Sequence, residues 1–510
     1  MVGLKTQAWK AQTGEAIVHG GSTRVSSVSA VRPTAKSRAS SVDASRVSPD
    51  VANRILHALM VPAMIMPVAG AMVRVALPII RNDFQISADT TAWVAAAFTL
   101  PFMVLMPLYG RLSDAVGKRR LLLVGIAIVC VGTVMTIFSQ GLGLLIAGRA
   151  VQGIGASGLM PLGMAFISAI FAADRRGKAL GTWSQVGPIA GFVSPLAAGV
   201  VISLWGWRAS FVIPLIVASV AFVVVHHFVP SGLSTIEPGY LRHFDWLGVL
   251  FLSGTGAGVL FFLSSRPITG AAPLTDWRLL IAAIVLCSAL IWWEKHRQDP
   301  FIPLDVFHNL QFLQASGAAS MRMLIMSGVG FLIPLYLVDV REMSAAAVGV
   351  MLVVNPGAMA LIVRQGGQIA DRWGSRVPVL VGMTVQVLAV VMLFYLPATA
   401  PIVVLVLILA FNGLGAGLML AALHRSAMGD TEPARMGAVA GMYSMVRFAG
   451  MAVGTAMAGV ILQYFLDSGL PTLEAYQWSF LVFGIAGICG FVIGATMHES
   501  ITASSPQKGA

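Results

Sequence analysis

Apolar runs of roughly 20 residues recur from Arg54 almost to the end of the chain, and no other property of the sequence restricts its fold so severely. Each run is long enough to cross ~30 Å of hydrocarbon as a helix, the one single-segment structure that bonds all its own backbone groups. About fourteen such runs can be read, the first near 55–80, the seventh and eighth near 246–264 and 278–294, and the last near 478–497. With 57% hydrophobic and 11% charged residues, a 510-residue chain has too little polar surface to cover a soluble body. The chain is therefore an all-α membrane protein.

Charge then records topology. The net charge of +12 would suit nucleic acid if the basic residues shared one face. They fall instead in the N-terminal segment and in alternate connections, so no nucleic-acid partner is expected. One set of connections holds Arg111, Lys118, Arg119, Arg120, Arg175, Arg176, Lys178, Arg242, Lys295, Arg297, Arg364, Arg372, Arg376, Arg425 and Arg435. The other holds little beyond Arg81, Arg208, Arg266, Arg278 and Arg341. Lys and Arg accumulate in cytoplasmic loops, and an even number of spans puts both termini on that side. Residues 1–53, rich in Ser, Ala, Val and basic residues, contain no apolar run that could serve as a signal peptide. They read as a disordered cytoplasmic tail, with a transit peptide or an attraction to anionic lipid as the other readings. Cys130, Cys287 and Cys489 lie far apart in apolar runs, without the spacing of a metal site or a disulfide framework.

One short polar loop occurs twice. Gly110-Arg-Leu-Ser-Asp114-Ala-Val-Gly117-Lys118-Arg119-Arg120 returns as Gly367-Gln-Ile-Ala-Asp371-Arg372-Trp-Gly374-Ser-Arg376. Each copy lies between two spans, so the chain consists of two related halves, and related halves in a polytopic membrane protein point to a transporter. Gly110 and Gly117 permit close helix approach and a tight turn, and Asp114 can bond the free amides that open the next helix. For one copy, a positive-inside turn is explanation enough; two copies at corresponding places argue for a shared role. The fourth run carries Leu145-Ile-Ala-Gly-Arg149-Ala-Val-Gln152-Gly153-Ile-Gly155. An arginine at membrane depth costs ~2.5 kcal/mol or more and faces a cavity or a partner, unless it snorkels to the surface. Gly187, Pro188, Gly191, Pro195 and Gly199 give the fifth run close-packing notches and bends.

Together these strings resemble the major facilitator superfamily and, within it, the fourteen-span drug:proton antiporters. The resemblance runs from about Arg54 to His498 and includes Trp207-Arg208, Phe211-Val-Ile-Pro214, Phe244-Asp245-Trp246-Leu-Gly248, and Arg447 with Gly450 and Gly454. It implies that the repeated loop latches the two halves at the cytoplasmic face and opens when the protein faces inward. It implies proton coupling at Arg149, from the R-x-x-Q-G-x-G string, and export, from Gly187-Pro188-Ile-Ala-Gly191. Three departures stand out: Ala115 follows Asp114 where a basic residue is usual, and Phe192 replaces the second glycine of the exporter string. The third lies in Val68-Ala69-Gly-Ala-Met-Val-Arg74-Val-Ala-Leu-Pro78, where the family's acidic residue falls on Ala69 and its asparagine on Arg74.

Every carboxylate falls in a loop, a tail or the end of a run, whereas Arg74, Arg149, Arg322 and Arg447 fall at membrane depth. Snorkelling disposes of one or two of these, Arg322 most easily. The rest give the translocation path a positive potential, so an anionic or neutral amphiphile fits better than a cation. Arg74 is either a ligand for an anionic group or a structural arginine, bonded to carbonyls freed by Pro78 or to the fourth or eleventh span. No G-x-x-x-x-G-K-[ST] loop exists to bind ATP, so transport is secondary, and neither G-x-S-x-G nor H-E-x-x-H suggests an enzyme.

The expectation is a major facilitator fold of two six-helix bundles, residues 54–230 and 313–498. Two extra central transmembrane helices lie within 231–312, and cytoplasmic tails span 1–53 and 499–510. The function expected is proton-coupled export of a small amphiphile by alternating access across a plasma (bacterial inner) membrane, without a cofactor. Uptake of an anionic metabolite or vitamin, and a non-transporting membrane sensor, are the other readings. Arg74, Arg149, Gln152 and Arg447 are the substrate or coupling candidates. Gly110, Asp114, Gly117, Lys118, Arg119, Gly367, Asp371, Arg372, Gly374, Arg376, Gly187, Pro188 and Gly191 are the gating candidates.

Overall fold

The computed structural model describes residues 48–171, 173–230, 244–297, 300–302, 304–429, 431 and 436–497. Both expected tails, residues 48–53 excepted, lie outside the described residues, as do Arg242, Arg435 and the side chains of Asp114, Arg176 and Lys178. Among the described residues thirteen helices are long and apolar enough to cross a membrane, and Val212–Phe228 is a shorter apolar one.

The first six spans are α1 (Pro49–Asp83), α2 (Ala88–Val116), α3 (Lys118–Ile137), α4 and α5 (Leu142–Ala156, Leu159–Ile170), α6 and α7 (Ala173–Ser184, Val186–Ser210) and α8 (Val212–Phe228). Two of them are thus built from paired helical segments. A hairpin follows, α9 (Trp246–Leu263) and α11 (Trp277–Lys295), with the one-turn α10 (Arg266–Thr269) between them. The last six are α12 (Leu310–Asp339), α13 (Ala345–Trp373), α14 (Arg376–Phe394), α15 (Ile402–Met428), α16 (Met436–Asp467) and α17 (Thr472–Ala495).

Local chemistry sets the ends of these helices. Ser48 caps α1 by accepting from the Val51 amide, with Pro49 in the first position and Asp50 in the first turn, each suited to the positive end of a helix. The final glycine of each repeated loop turns the chain from one helix toward the next at positive φ, Gly117 at +95° as the single linking residue and Gly374 at +83° followed by Ser375. A side chain rarely adopts that conformation, which is why glycine returns in both copies.

The packing repeats as the sequence does. In the first half α1 lies on α7 and α8, α2 on α4, and α3 on α4 and α8. In the second, α12 lies on α16 and α17, α13 on α15, and α14 on α15 and α17. Every pairing has its counterpart at the same place in the order of spans. The halves also meet reciprocally, α2 against α16 and α7 against α13, so the second span of each half lies on the fifth of the other.

That seam is closed at one end. At the end carrying Arg81, Arg81 on α1 pairs with Asp339 on α12, which also accepts from the Tyr476 hydroxyl at 2.5 Å, and the Ala88 amide donates to Gln463 Oε1 at 2.8 Å. A methyl group on Gly199 would stand 2.8 Å from the Ala345 carbonyl, and one on Gly459 2.6 Å from that of Ala88. Without hydrophobic attraction between helices in lipid, such backbone approach is what packing relies on. Near mid-membrane Phe102 meets Phe448 edge to face with centroids 4.9 Å apart, and Phe192 lies against Gly357. Toward the end carrying Asp371 the approach is looser among the described residues: a methyl group on Gly110, Gly187 or Gly441 would meet nothing within 4 Å. Gly441 lies two turns from Phe448 on the same face of α16, so the seam itself opens there.

Candidate functional site

Arg74 occupies the closed half of this cleft's depth. It lies seven residues from Arg81 along α1, about 10 Å inside the seal. Its side chain is half-buried between the halves: its Cδ is 4.0 Å from the position a methyl group on Gly330 of α12 would take, and its Nη1 is 3.6 Å from that of Gly70, one turn back. A helical side chain leans toward the N-terminus of its helix, which sends this guanidinium toward the open end. Among the described residues no carboxylate pairs with Arg74 and no carbonyl accepts from it, not even one freed by Pro78.

Arg149 is the opposite case. It is 2% exposed, and its Nε donates to the Val94 carbonyl at 3.2 Å and its Nη1 to Gln152 Oε1 at 2.5 Å. Gln152 passes the chain on to Thr133 Oγ1 at 2.9 Å, and the guanidinium lies over the Phe98 ring at 4.6 Å. In this conformation Arg149 braces α4 to α2 and α3 inside one half, and it does not snorkel. Arg322 does not snorkel either, contrary to expectation: it is 1% exposed, and its Nε donates to Ala416 carbonyl oxygen at 2.8 Å. It is held inside the second half because α12 packs on α15, whose Ala416 carbonyl takes the Nε hydrogen. Arg447 on α16 is half-buried, with Nη1 3.0 Å from His424 Nε2 and the guanidinium over Phe448 at 4.7 Å.

The gating candidates divide between the seam and the turns. Gly191 faces the other half, a methyl group there meeting Pro356 of α13 at 3.7 Å, while Gly187 and Pro188 lie nearer the open end and are half-buried. In the second loop Asp371 accepts from Arg425 at 2.8 Å, the same nitrogen bonding the Ala370 carbonyl; Arg372 is exposed, and Gly367 faces Ala421. In the first loop Arg119 bonds the His226 carbonyl at the end of α8, beside a half-buried Lys118. Lys118 and Arg376 each have a partner as well. Both arginine contacts stay within one half.

Reading the sequence missed the Arg81–Asp339 pair, the Asn355–Asn412 hydrogen bond of 2.8 Å beside Pro356, and His424 and Tyr443 around Arg447. Opposite charges at the ends of two runs were the one available signal, for Arg81 and Asp339. The others are single polar residues in apolar runs.

Comparison with known proteins agrees with the doubled architecture. A model of the Major Facilitator Superfamily matches residues 59–455. An uncharacterized MFS-type transporter of Mycobacterium tuberculosis is 29% identical over 424 residues, 82% of this chain and 71% of that protein. Multidrug resistance protein Stp of the same species is 27% identical over 406 residues, 79% of this chain and 74% of Stp. Riboflavin transporter RibZ of Clostridioides difficile is 27% identical over 387 residues, 76% of this chain and 83% of RibZ. Two sets of six spans related by a repeated loop, matched by one family over most of their length, show that the chain belongs to the Major Facilitator Superfamily of membrane transporters.

Proposed function

We propose that this transporter exports an amphiphilic small molecule, anionic or neutral, coupled to protons across a bacterial inner membrane. Arg74 carries the reading. A guanidinium at membrane depth with no acceptor is costly, and it sits where a substrate between the halves would pass. An anionic group on the substrate would supply the missing acceptor with two parallel hydrogen bonds. Stp, named as a multidrug resistance protein, supports export.

The direction of the present state follows from the basic loops. If the Arg-rich connections and both termini are cytoplasmic, the open end is the cytoplasmic one and the seam is closed on the outside. Reciprocal contacts at α2–α16 and α7–α13 let the halves rock about Arg74, closing one end as the other opens. The loops around Asp114 and Asp371 would latch the cytoplasmic end in the opposite state, and Arg149 would act in coupling once the halves move. Uptake of an anionic metabolite is the second reading; it is supported by RibZ, named as a riboflavin transporter.

The test is Arg74→Asn, with an anion and its neutral ester as paired substrates in vesicles. Removing a charged hydrogen bond weakens the anion by about 1.5–3 kcal/mol and spares the ester. Equal loss for both would reduce Arg74 to a structural role.

A further inference from the structure

Buried hydrogen-bond donors without acceptors are rare, and the second half gathers three of them at one place. Arg322 Nη1 on α12, Tyr443 Oη on α16 and Arg447 Nε on α16 are each buried from solvent and have no partner among the described residues. The residues are packed together: Arg322 and Arg447 act on each other electrostatically, as both do on Tyr443, and the Arg447 guanidinium lies 5.7 Å from the Tyr443 ring centre. Arg322 and Tyr443 are each 1% exposed. His424 of α15 completes the wall, its ring 5.2 Å from that of Tyr443.

The neighbours that are present rule out a self-sufficient cluster. Arginine has donors only, so the 3.0 Å contact from Arg447 Nη1 makes His424 Nε2 an acceptor and the imidazole neutral, with its hydrogen on Nδ1. Arg322 spends Nε on the Ala416 carbonyl and brings Nη2 to 3.9 Å from the Met359 sulfur, a weak acceptor. Two full positive charges are therefore held in a low-dielectric wall, and no described carboxylate pairs with either. The first half shows what a structural arginine looks like in this protein: Arg149 has the Val94 carbonyl, Gln152 and the Phe98 ring.

We infer that Arg322, Tyr443 and Arg447 form a second anion-binding site that takes a single carboxylate-sized group or a halide. Three unsatisfied donors of mixed type and two charges lie in one group of neighbours, a set that one small anion can answer; a neutral carbonyl would leave both charges uncompensated. Arg322 lies eight residues before Gly330, the α12 position that Arg74 lies against, about 12 Å along the helix, so the two arginines can be tested separately. Its ligand is either the anionic group of a transported molecule or an inorganic anion held beside it.

The experiment uses the purified full-length chain in detergent, with isethionate, a bulky sulfonate, as the only background anion, and titrates acetate, chloride and phosphate while following the unfolding temperature. A saturable rise with acetate or chloride is expected. Tyr443→Phe, which removes one hydroxyl and keeps the ring, should weaken the apparent affinity about tenfold. Arg447→Gln should abolish the rise, and Arg74→Asn should keep it, which separates this site from the Arg74 reading. In vesicles, a transport rate that requires chloride identifies an inorganic ligand, and competition between acetate and an anionic substrate without a chloride requirement identifies the substrate's own group. No saturable rise with any of the three anions, or an equal rise in wild type, Tyr443→Phe and Arg447→Gln, overturns the proposal.

Discussion

An arginine carries five N–H donors and cannot shed its charge, so inside a bilayer each guanidinium demands acceptors, and the supply separates these arginines by role. Arg149 has carbonyl, amide and aromatic partners, so Arg149→Ala strands Gln152 and the Val94 carbonyl in the core. That variant should lose roughly 2–4 kcal/mol of stability, read as a lower unfolding temperature in detergent. Arg149→Lys should recover part of the loss. A normally stable Arg149→Lys protein that has lost proton-driven transport would instead give Arg149 the coupling role its motif implies. His424 meets the same pocket as a neutral acceptor, its Nε2 taking the contact from Arg447 with Tyr443 alongside, so anion binding there should change little between pH 8 and pH 6. An affinity that rises with acidity, and is flattened in His424→Gln, would contradict this and show that the imidazole takes up a proton with the anion. The sequence made these arginines visible as charges in apolar runs. It hid their partners, because the acceptors come from residues 55 and 94 positions away, Val94 and Ala416.

At the scale of helices, glycine decides where the halves can touch. Gly349 and Gly459 lie at the closed end of the seam, where a methyl group collides with the Pro195 or Ala88 carbonyl, while Gly441 at the open end has free space. Overpacking costs about 1–3 kcal/mol, enough to change the ratio of two conformations by about 5- to 150-fold. Gly349→Ala and Gly459→Ala should therefore push the protein out of the present state, whereas Gly441→Ala leaves it undisturbed and penalises the opposite one. Spin labels on the α2–α3 and α13–α14 turns, in a background without the native cysteines, report the change: the distance should shorten for the first two and not for the third. A shortened distance in Gly441→Ala would contradict this account of the seam. Gly117 and Gly374 were legible as turn glycines because the loop repeats. Within the fifth span Gly191 and Gly199 touch α13, whereas Gly187, one turn from Gly191 toward the open end, meets nothing, and sequence could not sort them, because a membrane helix is apolar on every side and loses the periodicity that marks a buried face.

Across the whole molecule the α9–α11 hairpin is a third body laid over the seam. Helix α9 packs on both α2 and α16, so the hairpin touches both halves. Its bonds to the two are unequal. Toward the first half, the Trp93 indole donates to the Ser264 carbonyl and hydroxyl at 3.2 and 3.0 Å, and Arg266 pairs at 3.5 Å with Asp89, which is fully buried. Toward the second, Arg266 bonds Asp467 at 2.9 Å, a contact that holds the guanidinium above its ordinary pKa but lies in solvent, with both side chains more than a third exposed. Such an exposed pair contributes about 0–1 kcal/mol and weakens with salt. The doubled six-span plan and the extra pair of helices were legible from run lengths and the repeated loop; which end is closed was not, since one sequence serves both states of an alternating-access protein and the seam contacts belong to only one. If the closed end opens, the hairpin should stay with the first half and release Asp467. Asp467→Asn should then shift the closed end toward opening by at most about fivefold, with high salt reproducing the effect in wild type and adding nothing in the variant. Arg266→Gln should act more strongly, because it also strands Asp89 as a buried charge, and the double variant Arg266→Gln with Asp89→Asn should regain stability while keeping the weakened seal. Labels on the hairpin turn and on either half, read in both states, decide between the two attachments: a hairpin that keeps its distance to α16 and parts from α2 would reverse the order of release.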